Sequence, residues 1–140
     1  MKDIELINDI YDNIEEEYMI SNMEHIFFLE LINYIKNNNI KLDIDNYKEF
    51  KQFPPCFLNY KETINYRFYI NTTYHPVNDS SNCIGFYRYK LVAKTKASGE
   101  SIDIVYIDID IKGDYFTKDS YIMENKIKLF SDICSEFISN

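Results

Sequence analysis

Asp103, Asp108 and Asp110 fall within eight positions of the stretch IDIVYIDIDI, residues 102–111. In an extended strand Asp108 and Asp110 share one face about 6–7 Å apart, a separation from which two carboxylates could bracket a hard cation. Asp103 has the opposite parity and is expected to stand apart from them. The run GFYRYKLVAKTK, residues 85–96, turns through ASGE into this stretch and makes it the return strand of a hairpin. Pairing Ala93 with Val105 sets Leu91 against Ile107, Tyr89 against Ile109 and Tyr87 against Ile111 on one apolar face. The same register sets Lys90 against Asp108 and Arg88 against Asp110 on the other. Two cations repel a metal, so the expected role is a salt-paired strand face, each cross-strand pair contributing roughly 0.2–1 kcal/mol. A slip of one residue would put Lys90 against Ile107 and Arg88 against Ile109 and lose both faces. The register tolerates a bulge near the turn.

Nucleophilic chemistry has less to build on. His25 lies in an apolar helical stretch, where a packed side chain is the default, and His75 precedes Pro76 in a loop. Cys83 flanks that same loop, so a Cys83 nucleophile with His75 as base is conceivable. No activating pattern surrounds the cysteine. Cys56, Cys83 and Cys134 are odd in number and widely spaced, which argues against a disulfide framework or a cysteine zinc site. A nucleophile elbow, a glycine-rich phosphate loop, an H-E-x-x-H pattern and a calcium loop are all missing from the sequence. The expectation is a protein with no cofactor and no catalytic residues.

Acidic residues offer a different chemistry, that of recognition. Glu15, Glu16 and Glu17 close a helical segment where negative charge opposes the helix dipole. With Asp12 they form a patch able to grip lysines on a target, and Asp108 with Asp110 form a second candidate. The net charge is −8 at a pI near 4.7. Such a balance disfavours direct contact with nucleic acid or anionic lipid and favours a protein partner with a basic surface. Tyr66, Tyr69, Tyr74, Tyr87 and Tyr89 read as core or half-buried residues, because a base-stacking platform needs basic residues interleaved with its rings.

These groups must be held by a small fold. At 140 residues and 46% hydrophobic content, the chain suits one domain, residues 1–140, with a sizeable core. Ile4, Ile7, Ile10, Tyr11, Ile14 and Tyr18 recur at helical spacing over residues 3–18. Ser21-Asn22-Met23-Glu24 has the form of a capping box, which predicts a second helix from Ser21 to about Lys36. That helix is apolar nearly all round and is expected to be central. The run IKLDI alternates briefly, and DNYKEFKQF suits a short helix capped by Asp45 and ended by Pro54-Pro55. From residue 64 the period becomes two, with Ile64, Tyr66, Phe68, Ile70 and Thr72 on one face of a strand. HPVNDSSN is then a connecting loop. From Lys118 the helical period returns, capped by Asp119 or Ser120, with Met123, Ile127, Phe130, Cys134 and Phe137 on one side.

The expected architecture is therefore α+β: N-terminal helices, a three-stranded antiparallel meander and a C-terminal helix packed on the sheet. Over about residues 64–138 this order is similar in topology to chaperones of the SecB kind, without a shared motif. The opening MKDIELINDI shows no secretory pattern, and the densest apolar run, IFFLELINYI, is roughly half the length of a bilayer span. A cytoplasmic protein follows, and the isoleucine, asparagine and lysine bias suits an AT-rich bacterial, phage or viral genome. The leading functional expectation is a non-enzymatic acidic protein-binding domain of inhibitor, immunity or antitoxin, or counter-defence type. An oligomeric, chaperone-like subunit is the alternative, and a metal- or cysteine-dependent enzyme comes third.

Overall fold

The computed structural model describes residues 2–37, 57–76, 85–110 and 116–139, and their side chains except those of 2–15, 57–59, 76 and 110. The expected short helix after Asp45, the loop HPVNDSSN, Cys56 and Cys83 lie wholly or largely outside these residues. One helix, α1 (Lys2–Asn37), leads into strands β1 (Phe57–Glu62), β2 (Tyr66–Pro76), β3 (Gly85–Thr95), β4 (Ser101–Asp110) and β5 (Phe116–Ser120). A single 3-10 turn, Glu124–Lys126, then feeds α2 (Ile127–Ile138).

The class is α+β, as expected, but the antiparallel sheet has five strands in the order β1-β2-β3-β4-β5 rather than three. The anticipated meander forms its centre. The two additional strands lie at the edges, where period-two patterning is weakest: β5 reads FTKDS and has one large apolar residue. Residues 118–120 belong to this strand and do not begin the last helix. Asp119 and Ser120 instead close a turn, accepting hydrogen bonds from the backbone N–H of Ser120 and Ile122 at 2.8 and 3.0 Å. Strand β2 starts at Tyr66, and Ile64 is 86% exposed at the tip of the preceding turn, not on the apolar face.

The N-terminal segment is one continuous helix, not two. Ser21 and Asn22 are exposed within it, and no glycine or proline interrupts residues 2–37. A capping sequence favours a helix start but does not forbid passage, and the run Met23, Phe27, Leu31 and Ile35 gives the second half a buried stripe that holds it in place. This half is central to the fold, as its composition implied.

One face of the sheet carries the core. Tyr66, Phe68 and Ile70 of β2, Tyr89, Leu91 and Ala93 of β3, and Val105, Ile107 and Ile109 of β4 are buried there with α1 residues and with Phe130, Ile133, Cys134 and Phe137 of α2. Phe137 joins the layers, with its ring 5.4 Å from Phe27 of α1 and 4.9 Å from Phe68 of β2, both edge-on. Lys61 of β1 lies over the same ring and donates to the Phe137 carbonyl, so a cation sits where the dipole of α2 favours it. Asn65 fixes the same end of the helix, its backbone N–H and side-chain amide donating to the two Glu136 oxygens at 3.0 and 2.9 Å. No helix among the described residues is long and apolar enough to cross a membrane.

Candidate functional site

The β3–β4 hairpin does not adopt the expected register. Tyr87 faces Ile109, Arg88 faces Asp108, Tyr89 faces Ile107 and Leu91 faces Val105, two residues away from the anticipated pairing. A two-residue slip keeps every side chain on its own face, so the apolar pattern cannot distinguish the alternatives. The turn decides. The Gly99 N–H donates to the Thr95 carbonyl and the Thr95 N–H to the Glu100 carbonyl, with Gly99 at a φ of 73°, which glycine adopts without strain. This closure aligns Val92 with Asp103, and a bulge at Ile104 then advances the pairing to Leu91 with Val105.

The bulge also changes the parity of Asp103. Instead of standing apart, Asp103 lies on the same face as Asp108, opposite the face of Leu91 and Ala93, and accepts a hydrogen bond from Lys90 at 3.1 Å. Arg88 donates to both oxygens of Asp108, at 2.8 and 3.0 Å. Its guanidinium lies 4.1 Å above the Tyr106 ring, and the Tyr106 hydroxyl donates to Asp119 at 3.2 Å. The bond to Asp108 holds the guanidinium pKa above its ordinary value. Tyr121, 5.2 Å from Tyr106, lies beneath the Lys90 ammonium. The result is an interlocked polar and aromatic layer whose charges cancel in pairs.

As a metal site the layer is unsuited, because each described aspartate is taken by a cation or a hydroxyl. Among the described residues, no group of three or more histidine, cysteine, aspartate or glutamate side chains is gathered as a metal would require. Asp110 is paired with Phe86 in register rather than with Arg88, and its side chain lies outside the description. His75 falls at the end of β2, stacked on Phe86 at 4.9 Å with its Nε2 2.8 Å from the Thr73 hydroxyl. His25 is exposed on α1, and Cys134 is buried in the core.

Clefts among the described residues border the sheet. One of about 220 Å³ runs beside Asp103, Tyr121, Lys126 and Phe130, and one of about 270 Å³ lies between Tyr60, Lys61, Glu62 and Arg67. In the second, Glu62 is already engaged by Lys96 at 2.7 Å and by Arg67 at 3.7 Å.

The acidic set on α1 has a different character. Glu16, Glu17, Tyr18 and Met19 are all exposed, and Tyr18 is 69% accessible. Four consecutive helical residues, about 100° apart, point in every direction around the axis. This turn therefore packs against nothing in the described fold. Neither glutamate has an ion-pair partner among the described residues. Asp12 and Glu15 precede it on the same helix, their side chains outside the description. No family model, characterised protein or solved structure matches the chain.

Sequence patterning located the acids of both surfaces but missed how they differ. Tyr106, Tyr121 and Asp119, which complete the polar and aromatic layer, gave no signal of that role in the sequence. The Gly99 turn was the one sequence feature from which the true hairpin register could have been built. Tyr18 and Met19 read as part of an ordinary amphipathic helix, and only the packing shows that their turn is bare.

Proposed function

We propose that the protein is a non-enzymatic, acidic protein-binding domain that acts in the cytoplasm on a partner with a basic surface. Its type is that of an inhibitor, an immunity or antitoxin protein, or a viral or phage counter-defence factor. The observation that carries this reading is the bare turn Glu16–Met19. Two carboxylates without an ion-pair partner among the described residues stand beside an exposed tyrosine and methionine, and tyrosine and methionine are enriched at protein interfaces. The net charge of −8 would speed encounter with a basic target. Asp12, Glu15, Glu16 and Glu17 form the primary surface. Asp108 with Asp110 is the secondary one, weakened because Arg88 occupies both oxygens of Asp108.

The test begins with affinity capture from the native host, followed by calorimetry of the captured partner. Reversing all four α1 charges to lysine should weaken binding at least about tenfold, with a steep loss in salt for the unaltered chain. Unchanged affinity would remove the α1 surface from the proposal. Capture of many unfolded clients instead of one folded partner would turn the reading toward a chaperone.

A further inference from the structure

A row of side chains crosses one end of the sheet on the face opposite Phe68 and Ala93. It holds Glu62 of β1, Arg67 of β2, Lys94 of β3 and Ser101 of β4, each paired with the next in register. Arg67 and Lys94 are thus cross-strand neighbours of like charge, an arrangement that weakens a ladder. Both are exposed, the Arg67 side chain to 63%. Glu62, the carboxylate of the row, pairs with Lys96 at 2.7 Å and lies 3.7 Å from Arg67, beyond hydrogen-bond reach. Lys94 has no ion-pair partner among the described residues. Glu136, which also feels the Lys96 charge, belongs to α2 and is held by Asn65. In and beside the row, the three cations Arg67, Lys94 and Lys96 share Glu62, a surplus of two positive charges. Next to Arg67 opens the cleft of about 270 Å³, walled also by Tyr60 and Lys61. Its walls are tied to both helices, Tyr60 donating to Glu30 of α1 and Lys61 to the Phe137 carbonyl of α2.

The surplus selects the ligand. A carboxylate brings one negative charge, whereas a phosphate monoester brings about −1.5 to −2 near pH 7, spread over three acceptor oxygens. The planar fork of Arg67 can take two of those oxygens side by side. Directly opposed Cβ atoms stand about 4.5–5.5 Å apart, which leaves the third oxygen within reach of Lys94. A nucleic acid strand would spread further phosphates over a molecule of net charge −8, which repels them. We infer that Arg67 and Lys94 bind the phosphate group of a small phosphate monoester, whose organic part lies in the cleft against Tyr60 and Lys61. This site is independent of the acidic turn on α1 and takes a ligand of the opposite charge.

Calorimetry of the full chain at low salt, with phenyl phosphate, benzoate, inorganic phosphate and a single-stranded oligonucleotide as probes, tests the site. Phenyl phosphate should bind at least about tenfold more tightly than benzoate, which has the same ring and one charge fewer. It should also bind more tightly than inorganic phosphate, which has nothing to place in the cleft. Arg67→Met and Lys94→Met should each lower affinity for phenyl phosphate at least about tenfold, and Lys128→Met on α2 should leave it unchanged. Without ligand, neither Arg67→Met nor Lys94→Met should melt below the unaltered chain, because each relieves the repulsion between strands. Phenyl phosphate should then raise the melting temperature of the unaltered chain and not that of the two variants. Failure to bind phenyl phosphate, or benzoate or inorganic phosphate bound as tightly, would overturn the inference. So would unchanged affinity in Arg67→Met and Lys94→Met, an equal loss in Lys128→Met, or tighter binding of the oligonucleotide. None of these outcomes bears on the acidic-surface reading.

Discussion

Arg88 shows what single residues contribute on the sheet face opposite the core. Its guanidinium is held by two oxygens of Asp108 and by the Tyr106 ring, and the pair is only a quarter or less exposed, at 25% for Arg88 and 17% for Asp108. Such a pair lies between a solvent-screened surface bridge and a buried one. A double-mutant cycle with Arg88→Met and Asp108→Asn should give a coupling of about 1 kcal/mol by chemical denaturation. Coupling near zero would mean that the two-point contact is not maintained in solution. At the opposite side of the molecule, burial acts to raise the Glu136 pKa, but it is outweighed by hydrogen bonds from Asn65 and Thr63 and by the charge of Lys96, leaving the group lowered. Its folded-state pKa lies below the unfolded one, so its contribution is present above the unfolded value and is lost as pH falls through the folded value. Glu136→Gln should therefore flatten the decline in melting temperature between about pH 5 and pH 3. A decline as steep as that of the unaltered chain would exclude this carboxylate as a source of acid sensitivity.

At the scale of elements, α1 and the β3–β4 hairpin show what could be read in advance. The apolar run from Met23 to Ile35 was legible because burial on one side of a helix imposes its period on the sequence. Whether a helix begins at Ser21 or passes through it was not legible, since a local capping motif competes with packing that lies far away in the chain. Ser21→Pro separates the two arrangements. Proline fits the first turn of a separate helix but removes a hydrogen bond within a continuous one, costing about 3 kcal/mol. A large loss of helicity and stability is expected, and a melting temperature equal to that of the unaltered chain would mean that two helices form. The hairpin failed for another reason. From Val105 onward its faces were assigned correctly from period two, whereas Asp103 changed face at the bulge; a slip of two preserves the faces, and the extra residue at Ile104 has no sequence signature. The acidic candidates followed the same division: their composition was visible, while the pairing of Asp108 and the bareness of Glu16 and Glu17 came from tertiary structure.

For the whole molecule, the core and the turn proposed for recognition are separable. The core joins the second half of α1 to the sheet and α2, whereas the turn Glu16–Met19 contributes none of its side chains to it. Replacing Glu16, Glu17 and Tyr18 together by alanine should shift the melting temperature by no more than about 3 °C. A larger shift would show that this turn supports the fold. The margins of the sheet have a consequence for how the protein behaves when crowded. Strand β1 is interrupted by a bulge at Tyr60, and β5 is five residues long with Lys118 reaching over the Phe28 ring on the core side. Neither margin offers a long, flat row of amides to an incoming strand. Five strands are thus a natural end to the ladder, and the native protein should resist fibril growth even at high concentration.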